Sequence, residues 1–166
     1  MNILTAGCLV LALQPPTLYE RELWQSINDY RQEYNYSAYH YSAELAQWAR
    51  RWACEYPALI EQRIGAGNSV YRYRGAQHAP VDYYPEFVSA ENAWMYAPSE
   101  RAILDGWRSV DGWIDSDSHR SVLLSEQPCA GIAVIFGSYA TPAIIPAQTG
   151  PIAAVFLTGV CNGKTD

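Results

Sequence analysis

At 166 residues the chain is long enough for a single domain with its own core, without metal or disulfide staples. A formal net charge of −6, with scattered arginines of which only Arg50-Arg51 and the Arg72/Arg74 pair lie close together, excludes nucleic acid as the natural partner: no basic stripe offsets phosphate repulsion. An apolar fraction of 49% with 17% charged residues excludes a disordered chain.

The first element is an apolar run, Ile3 to Leu13, of about signal-peptide length. No Lys or Arg precedes it and no small-x-small cleavage site follows. It is too short to span a bilayer. Thr5-Ala6-Gly7-Cys8 precedes most of that run, where a lipidation box would follow it. Residues 1–16 are therefore expected to be a signal-like segment or a retained arm, with the domain occupying residues 17–166. A retained arm needs an apolar surface, either this domain's core or a neighbouring subunit.

After Pro15-Pro16, Thr17 is the expected cap of a first helix from Leu18 to Glu33, whose apolar face is Leu23, Ile27, Tyr30 and Tyr34. Asn35 to Tyr41 reads as an aromatic turn. Ser42 caps a second helix with Leu45, Trp48, Ala49, Trp52 and Ala53 on its buried face, expected to stop before Pro57. A further helical turn is expected at Leu59 to Ile64. Gly65 to Ser89 is irregular and rich in aromatics (Tyr71, Tyr73, Tyr83, Tyr84), and long loops of this kind usually carry function. From Ala102 the spacing Ile103, Trp107, Val110, Ile114 predicts an amphipathic helix ending near Asp115, with Glu91 on the loop before it and His119 on the loop after it. Strands are expected at Ala130 to Phe136 and Ile152 to Val160, joined through Pro142 and Pro146. Cys129 opens the first of these and Cys161 follows the second, so this pair is the first disulfide expectation. Four cysteines allow three full pairings, and four buried thiols is the alternative. Cys54 is expected at a helix C-terminus, where the dipole disfavours a thiolate.

The run Trp113-x-x-Ser116-x-x-His119-Arg120 followed by Val122-Leu123-Leu124 resembles the W-x-x-S-P-G-H-R-x-x-L-L signature of the bacterial CAP superfamily, the SCP or pathogenesis-related-protein-like domain. Glu91-Asn92-Ala93-Trp94 is similar to that family's G-E-N-(I/L)-A-W element. Ile27-Asn28-Asp29-Tyr30-Arg31 and Tyr41-Ser42-Ala43-Glu44-Leu45-Ala46 resemble its opening helices, and Ala130-Gly131-Ile132-Ala133-Val134 and Val160-Cys161-Asn162 its core strands. The likeness runs from Leu23 to Asn162. Two positions depart from it: Ala90 and Ser118 stand where the family has glycine. The resemblance implies a three-layer αβα sandwich with a small, mostly antiparallel central sheet.

It also implies a cleft built from two histidines and two acids. His119 matches the second histidine and Glu91 one acid. His78, thirteen residues before Glu91, matches the first histidine, and Ser116 stands where eukaryotic members carry the second glutamate. His40 has no counterpart there. Three functional readings stand open, the first implied by the resemblance, the second by the two histidines and the carboxylate, the third by the apolar N-terminus and the many aromatic residues. The first is a secreted or cell-surface module binding a protein, peptide or lipid ligand, with Tyr71, Tyr73, Tyr83 and Tyr84 as contacts. The second is a metal-dependent hydrolase with His78 and His119 on zinc and Glu91 as general base. The third is a component of a larger assembly such as a phage virion, with the N-terminal arm packed on neighbouring subunits. A plainer alternative has Glu91 and His119 only bonding backbone to hold the helix ends in register. No Ser-His-Asp order or nucleophile elbow points to covalent catalysis.

Overall fold

The computed structural model describes residues 15–65, 78–80, 82–95, 108–139 and 148–161. The apolar arm over residues 1–14, Cys8, Tyr71, Tyr73, the first part of the central helix (Ala102 to Trp107), the Pro142–Pro146 connection and Asn162 lie outside the described residues.

The elements in chain order are α1 (Leu18–Glu33), β1 (His40–Tyr41), α2 (Ala43–Gly65), β2 (Val88–Met95), α3 (Arg108–Asp115), α4 (Asp117–Leu123), β3 (Cys129–Tyr139) and β4 (Gln148–Gly159). The sheet has the order β1-β3-β4-β2. β3–β4 and β4–β2 are antiparallel, and the two-residue β1 adds a parallel pair on β3, so the sheet is mixed.

Period-two alternation along the central strands builds two cores. Cys129, Ala133 and Ile135 of β3, with Ala153, Val155 and Leu157 of β4, pack under α2 against Leu45, Ala49, Trp52 and Ala53. Ala130, Ile132 and Val134, with Ala154 and Phe156, pack on the other side against Leu23 and Ile27 of α1, Trp113 of α3 and Leu123 of α4. This is the expected αβα sandwich. α2 lies directly on β3 at Gly131, where a Cβ would come within 2.1 Å of the Ala46 nitrogen and 2.4 Å of the Leu45 carbonyl carbon. Only glycine admits that approach.

Helix α1 carries both ends of its own definition. Thr17 and Glu20 form a capping box, with the Thr17 N–H donating to Glu20 Oε2 at 2.7 Å and the Glu20 N–H to Thr17 Oγ1 at 3.2 Å. At the other end Asn35 takes a left-handed backbone (φ 62°), with its N–H on the Gln32 carbonyl and that of Tyr36 on the Arg31 carbonyl. That is a Schellman stop, in which asparagine tolerates the conformation better than most side chains. Glu20 has a second role. Its Oε1 accepts from Arg50 Nη2 on α2 at 2.8 Å and from the Val134 N–H of β3 at 3.0 Å, with the carboxylate nearly fully buried. Because β1 covers only the first two residues of β3, the Val134 N–H lies on a stretch of strand edge with no sheet partner among the described residues. The carboxylate supplies that partner and ties the two helical layers together.

Several expectations are corrected. α2 does not stop before Pro57 but runs to Gly65, absorbing the separate turn expected at Leu59 to Ile64. Proline's preference against a preceding helical residue is overridden there. The Asn35–Tyr41 turn ends in β1, and the segment from Val88, read as loop, is the eight-residue strand β2. Both are set by pairing with distant strands, which local periodicity does not report. β3 and β4 extend beyond their expected ends because they pair with each other from Cys129↔Gly159 to Tyr139↔Gln148. The Cys129–Cys161 disulfide is present, with its Cα atoms 5.3 Å apart. Cys54 is also disulfide-bonded, and it lies in the interior of α2 rather than at its C-terminus.

Replacing Glu20 with Ala removes the carboxylate from a buried guanidinium and a buried strand N–H, and should cost about 3–5 kcal/mol. Urea unfolding should show a lower midpoint at unchanged slope, whereas a midpoint within error of wild type would mean that the layers do not depend on this contact.

Candidate functional site

Glu91 is on β2 and not on a loop, and β2 is an edge of the sheet. Its carboxylate is the hub of the site. Oε2 accepts from the Tyr84 hydroxyl at 2.6 Å and from the Ala79 N–H at 3.3 Å, and Oε1 lies 3.0 Å from Nδ1 of His78. An ionised carboxylate can only accept, so in this contact Nδ1 of His78 is the donor. Glu91 is 8% exposed and His78 58% exposed, so the acid is the fixed base of the arrangement and the imidazole its open face. The Tyr84 hydroxyl is pushed far above the usual tyrosine range, first by burial and then by the Glu91 charge, so it remains a donor at any physiological pH.

His119 reaches the site from the opposite layer. The turn-forming residues after Asp115 do end α3, but Ser116 then serves as N-cap residue of a second short helix, α4, and His119 lies in its first turn. The expectation of a loop is corrected, because a Ser-Asp-Ser run can start a helix as readily as stop one. Ser116 makes no side-chain cap bond. Its Oγ lies 3.1 Å from that of Ser118. Arg120 secures the break by donating to the Ile114 carbonyl at 2.8 Å and pairing with Asp117. At the far end Arg31 donates to the Leu123 carbonyl at 2.6 Å, and the Tyr39 hydroxyl donates to the Val122 carbonyl at 3.0 Å. Arg31 itself stacks on the Tyr39 ring at 3.5 Å. The His78 and His119 rings then meet with centroids 6.3 Å apart. Burial, followed by the His78 charge, holds the His119 ring below the usual histidine range.

The chain therefore brings His78, Glu91 and His119 together from a connecting segment, a strand and a helix. Ser116 sits one turn from His119 and is occupied with Ser118. Among the described residues no three of His, Cys, Asp or Glu are grouped so as to hold a metal ion. Glu91 takes its three contacts from Tyr84, Ala79 and His78.

Tyr83 and Tyr84 lie beside the site in an aromatic cluster. Tyr83 packs against Trp52 (5.0 Å between centroids), Trp48 (6.1 Å) and Tyr84 (5.1 Å), with the Arg51 guanidinium 5.2 Å over Trp48 and 5.6 Å over Tyr83. Tyr84, expected as a ligand contact, donates its hydroxyl to Glu91. The sequence marks Asn92 only as part of a motif and Trp48 only as a core residue, neither as a site residue. Asn92 stands inside the Glu-Asn pair, which was a usable signal. Trp48 becomes part of the site only through the packing of α2 on the segment after His78.

The model of the CAP family, described as the cysteine-rich secretory protein family, matches residues 24–134. The chain belongs to this family. A comparison of this CAP domain with curated proteins finds no match. Among solved structures, an outer surface protein from Borrelia burgdorferi superimposes with a TM-score of 0.51 at 15% identity, covering 90% of this chain and 97% of that one. A cysteine-rich secretory protein from Staphylococcus aureus gives a TM-score of 0.43 at 16% identity, covering 87% of this chain and 41% of that one. The first likeness speaks to the fold alone.

The lowered His119 ring sets the sign of one pH effect. Its folded pKa lies below the unfolded value of 6.5, so the neutral ring contributes stability that is fully present above that value and lost as pH falls through the folded pKa. Thermal melts of wild type and His119→Gln from pH 8 to pH 4.5 should converge as pH falls below about 6.5. Parallel curves would mean that His119 titrates alike in both states.

Proposed function

We propose that this CAP domain is a binding module that takes a protein, peptide or lipid ligand at the cleft of His78, Glu91 and His119, with the exposed parts of Trp48 and Tyr83 beside it. One observation carries this reading: Glu91, the only acid of the three-residue set, has both oxygens engaged by Tyr84, Ala79 and His78. A general base needs a free lone pair within reach of its substrate. An acid spent on holding an imidazole suits recognition better than hydrolysis. What remains open to a ligand is the exposed ring of His78, the ring of His119 and aromatic surface, the mixture of polar handle and apolar body common at contact sites.

The setting is a cell surface or the extracellular medium. Supporting this are the Cys129–Cys161 disulfide and the lack of a free cysteine among the described residues, since such pairs persist in oxidising compartments. No helix among the described residues is long and apolar enough to cross a membrane.

His78 is the residue on which to test the reading, because Tyr83 is half-buried in the aromatic cluster and its loss would also cost stability. Short synthetic peptides and phosphatidylcholine vesicles would be titrated into labelled protein and followed by amide and ring chemical shifts. Perturbations should gather at His78, His119, Trp48 and Tyr83. They should weaken roughly tenfold in His78→Ala, the loss of about one hydrogen bond, with the melting temperature unchanged. Perturbations confined to another face would overturn the assignment. Saturable zinc uptake at micromolar concentration, lost in His119→Ala, would favour the hydrolase instead.

A further inference from the structure

Glu91 and Asn92 are neighbours on β2, and strand alternation sends them to opposite faces of the sheet. Glu91 faces Ala79 and Tyr84, which pack on the α2 side. Asn92 lies opposite Phe156 of β4, on the side of α1, α3 and α4. It is completely buried, and its Nδ2 donates to the His119 carbonyl at 2.8 Å while its Oδ1 has no hydrogen-bond partner among the described residues. A buried amide with half of its capacity unused is costly, and an apolar side chain beside Phe156 would avoid that cost. The donated bond therefore needs a purpose of its own.

That purpose lies in α4. The helix has seven residues, and its N-cap residue Ser116 makes no side-chain cap bond, so the first turn is not secured by a conventional cap. The last turn is held by Arg31 and Tyr39. The first turn, which carries His119, is held to the sheet by Asn92. We infer that Asn92 is a positioning residue of the cleft: its bond to the His119 carbonyl fixes the first turn of α4 on β2 and so sets the His119 ring against His78, which Glu91 holds from the other face of the same strand. One dipeptide thereby grips both imidazoles, one through a side chain and one through a helix backbone. The inference rests on the reading of this cleft as the ligand site, and it adds what fixes the spacing of the two rings.

The test reads ring geometry in the unliganded protein. At a centroid separation of 6.3 Å, the His78 and His119 ring protons should cross-relax measurably in wild type. In Asn92→Leu, which is close in size and has no donor, and in Asn92→Ala, that cross-peak should disappear, while the contact of His78 with Glu91 persists. Thr158→Val, which alters another fully buried polar side chain on the same strand pair, should keep it. A cross-peak of wild-type intensity in Asn92→Leu would overturn the inference, as would its loss in Thr158→Val, which would make the effect one of general loosening. Should the Asn92 variants not fold, the wild-type side-chain amide decides: one Nδ2 proton protected from solvent exchange and close to the first turn of α4 supports the inference, and two freely exchanging protons overturn it. No ligand enters this measurement, so failure of ligand binding would sink the proposed function and leave the ring geometry to be judged separately.

Discussion

A β-strand must show alternate side chains to opposite faces, and in β2 that constraint organises the cluster of Glu91, His78 and His119. Glu91 and Asn92 are adjacent in sequence yet belong to different layers, one meeting the segment that carries His78 and the other the helix that carries His119. β2 is the edge of the sheet, so groups from the two layers can meet around it. A shift of one residue in the pairing of β2 with β4 would exchange the two side chains between faces and dissolve the arrangement. The register from Ala90↔Thr158 to Met95↔Ala153 is therefore as much a property of the site as any side chain in it.

The opposite edge of the sheet is handled by a different device with the same logic. β1 is too short to cover β3, and the Glu20 carboxylate takes the place of a missing strand partner at Val134 while meeting Arg50. A buried ion pair is weak evidence of net stability, because desolvation opposes the attraction. Here it also satisfies a strand N–H that would otherwise be orphaned, and it joins α1 to α2 across the edge. Gly131 complements it by letting the α2 backbone rest on β3 without an intervening side chain. Together these fix α2 and, with it, Trp48 and Trp52 beneath Tyr83.

Charge in the site is arranged by burial more than by pairing. Glu91 is nearly enclosed and fully hydrogen-bonded, Tyr84 is kept protonated, and His119 is biased toward its neutral form. The result is two imidazoles and a tyrosine hydroxyl arranged around one enclosed carboxylate.

The sequence by itself determined the pieces whose signals are local. The capping box opening α1, the apolar faces of α1 and of the first part of α2, and the two hydrophobic core strands follow from spacing and side-chain chemistry within a few residues. The Glu91 and His119 motifs were legible in the same way, as was the family they resemble. Tertiary structure alone decided the rest. β1 and β2 exist because distant strands complete their hydrogen bonds. α2 continues through Pro57 with one face packed on the sheet. Ser116 ends one helix and begins another because Asn92, Arg31 and Tyr39 hold the second in place. Tyr84 reads as exposed contact surface in sequence and acts as an internal donor in the fold, since its role depends on where a residue seven positions later is aimed. Period and propensity act over a turn or a strand, whereas each of these outcomes rests on a hydrogen bond or a packing contact between segments that the chain brings together only when folded.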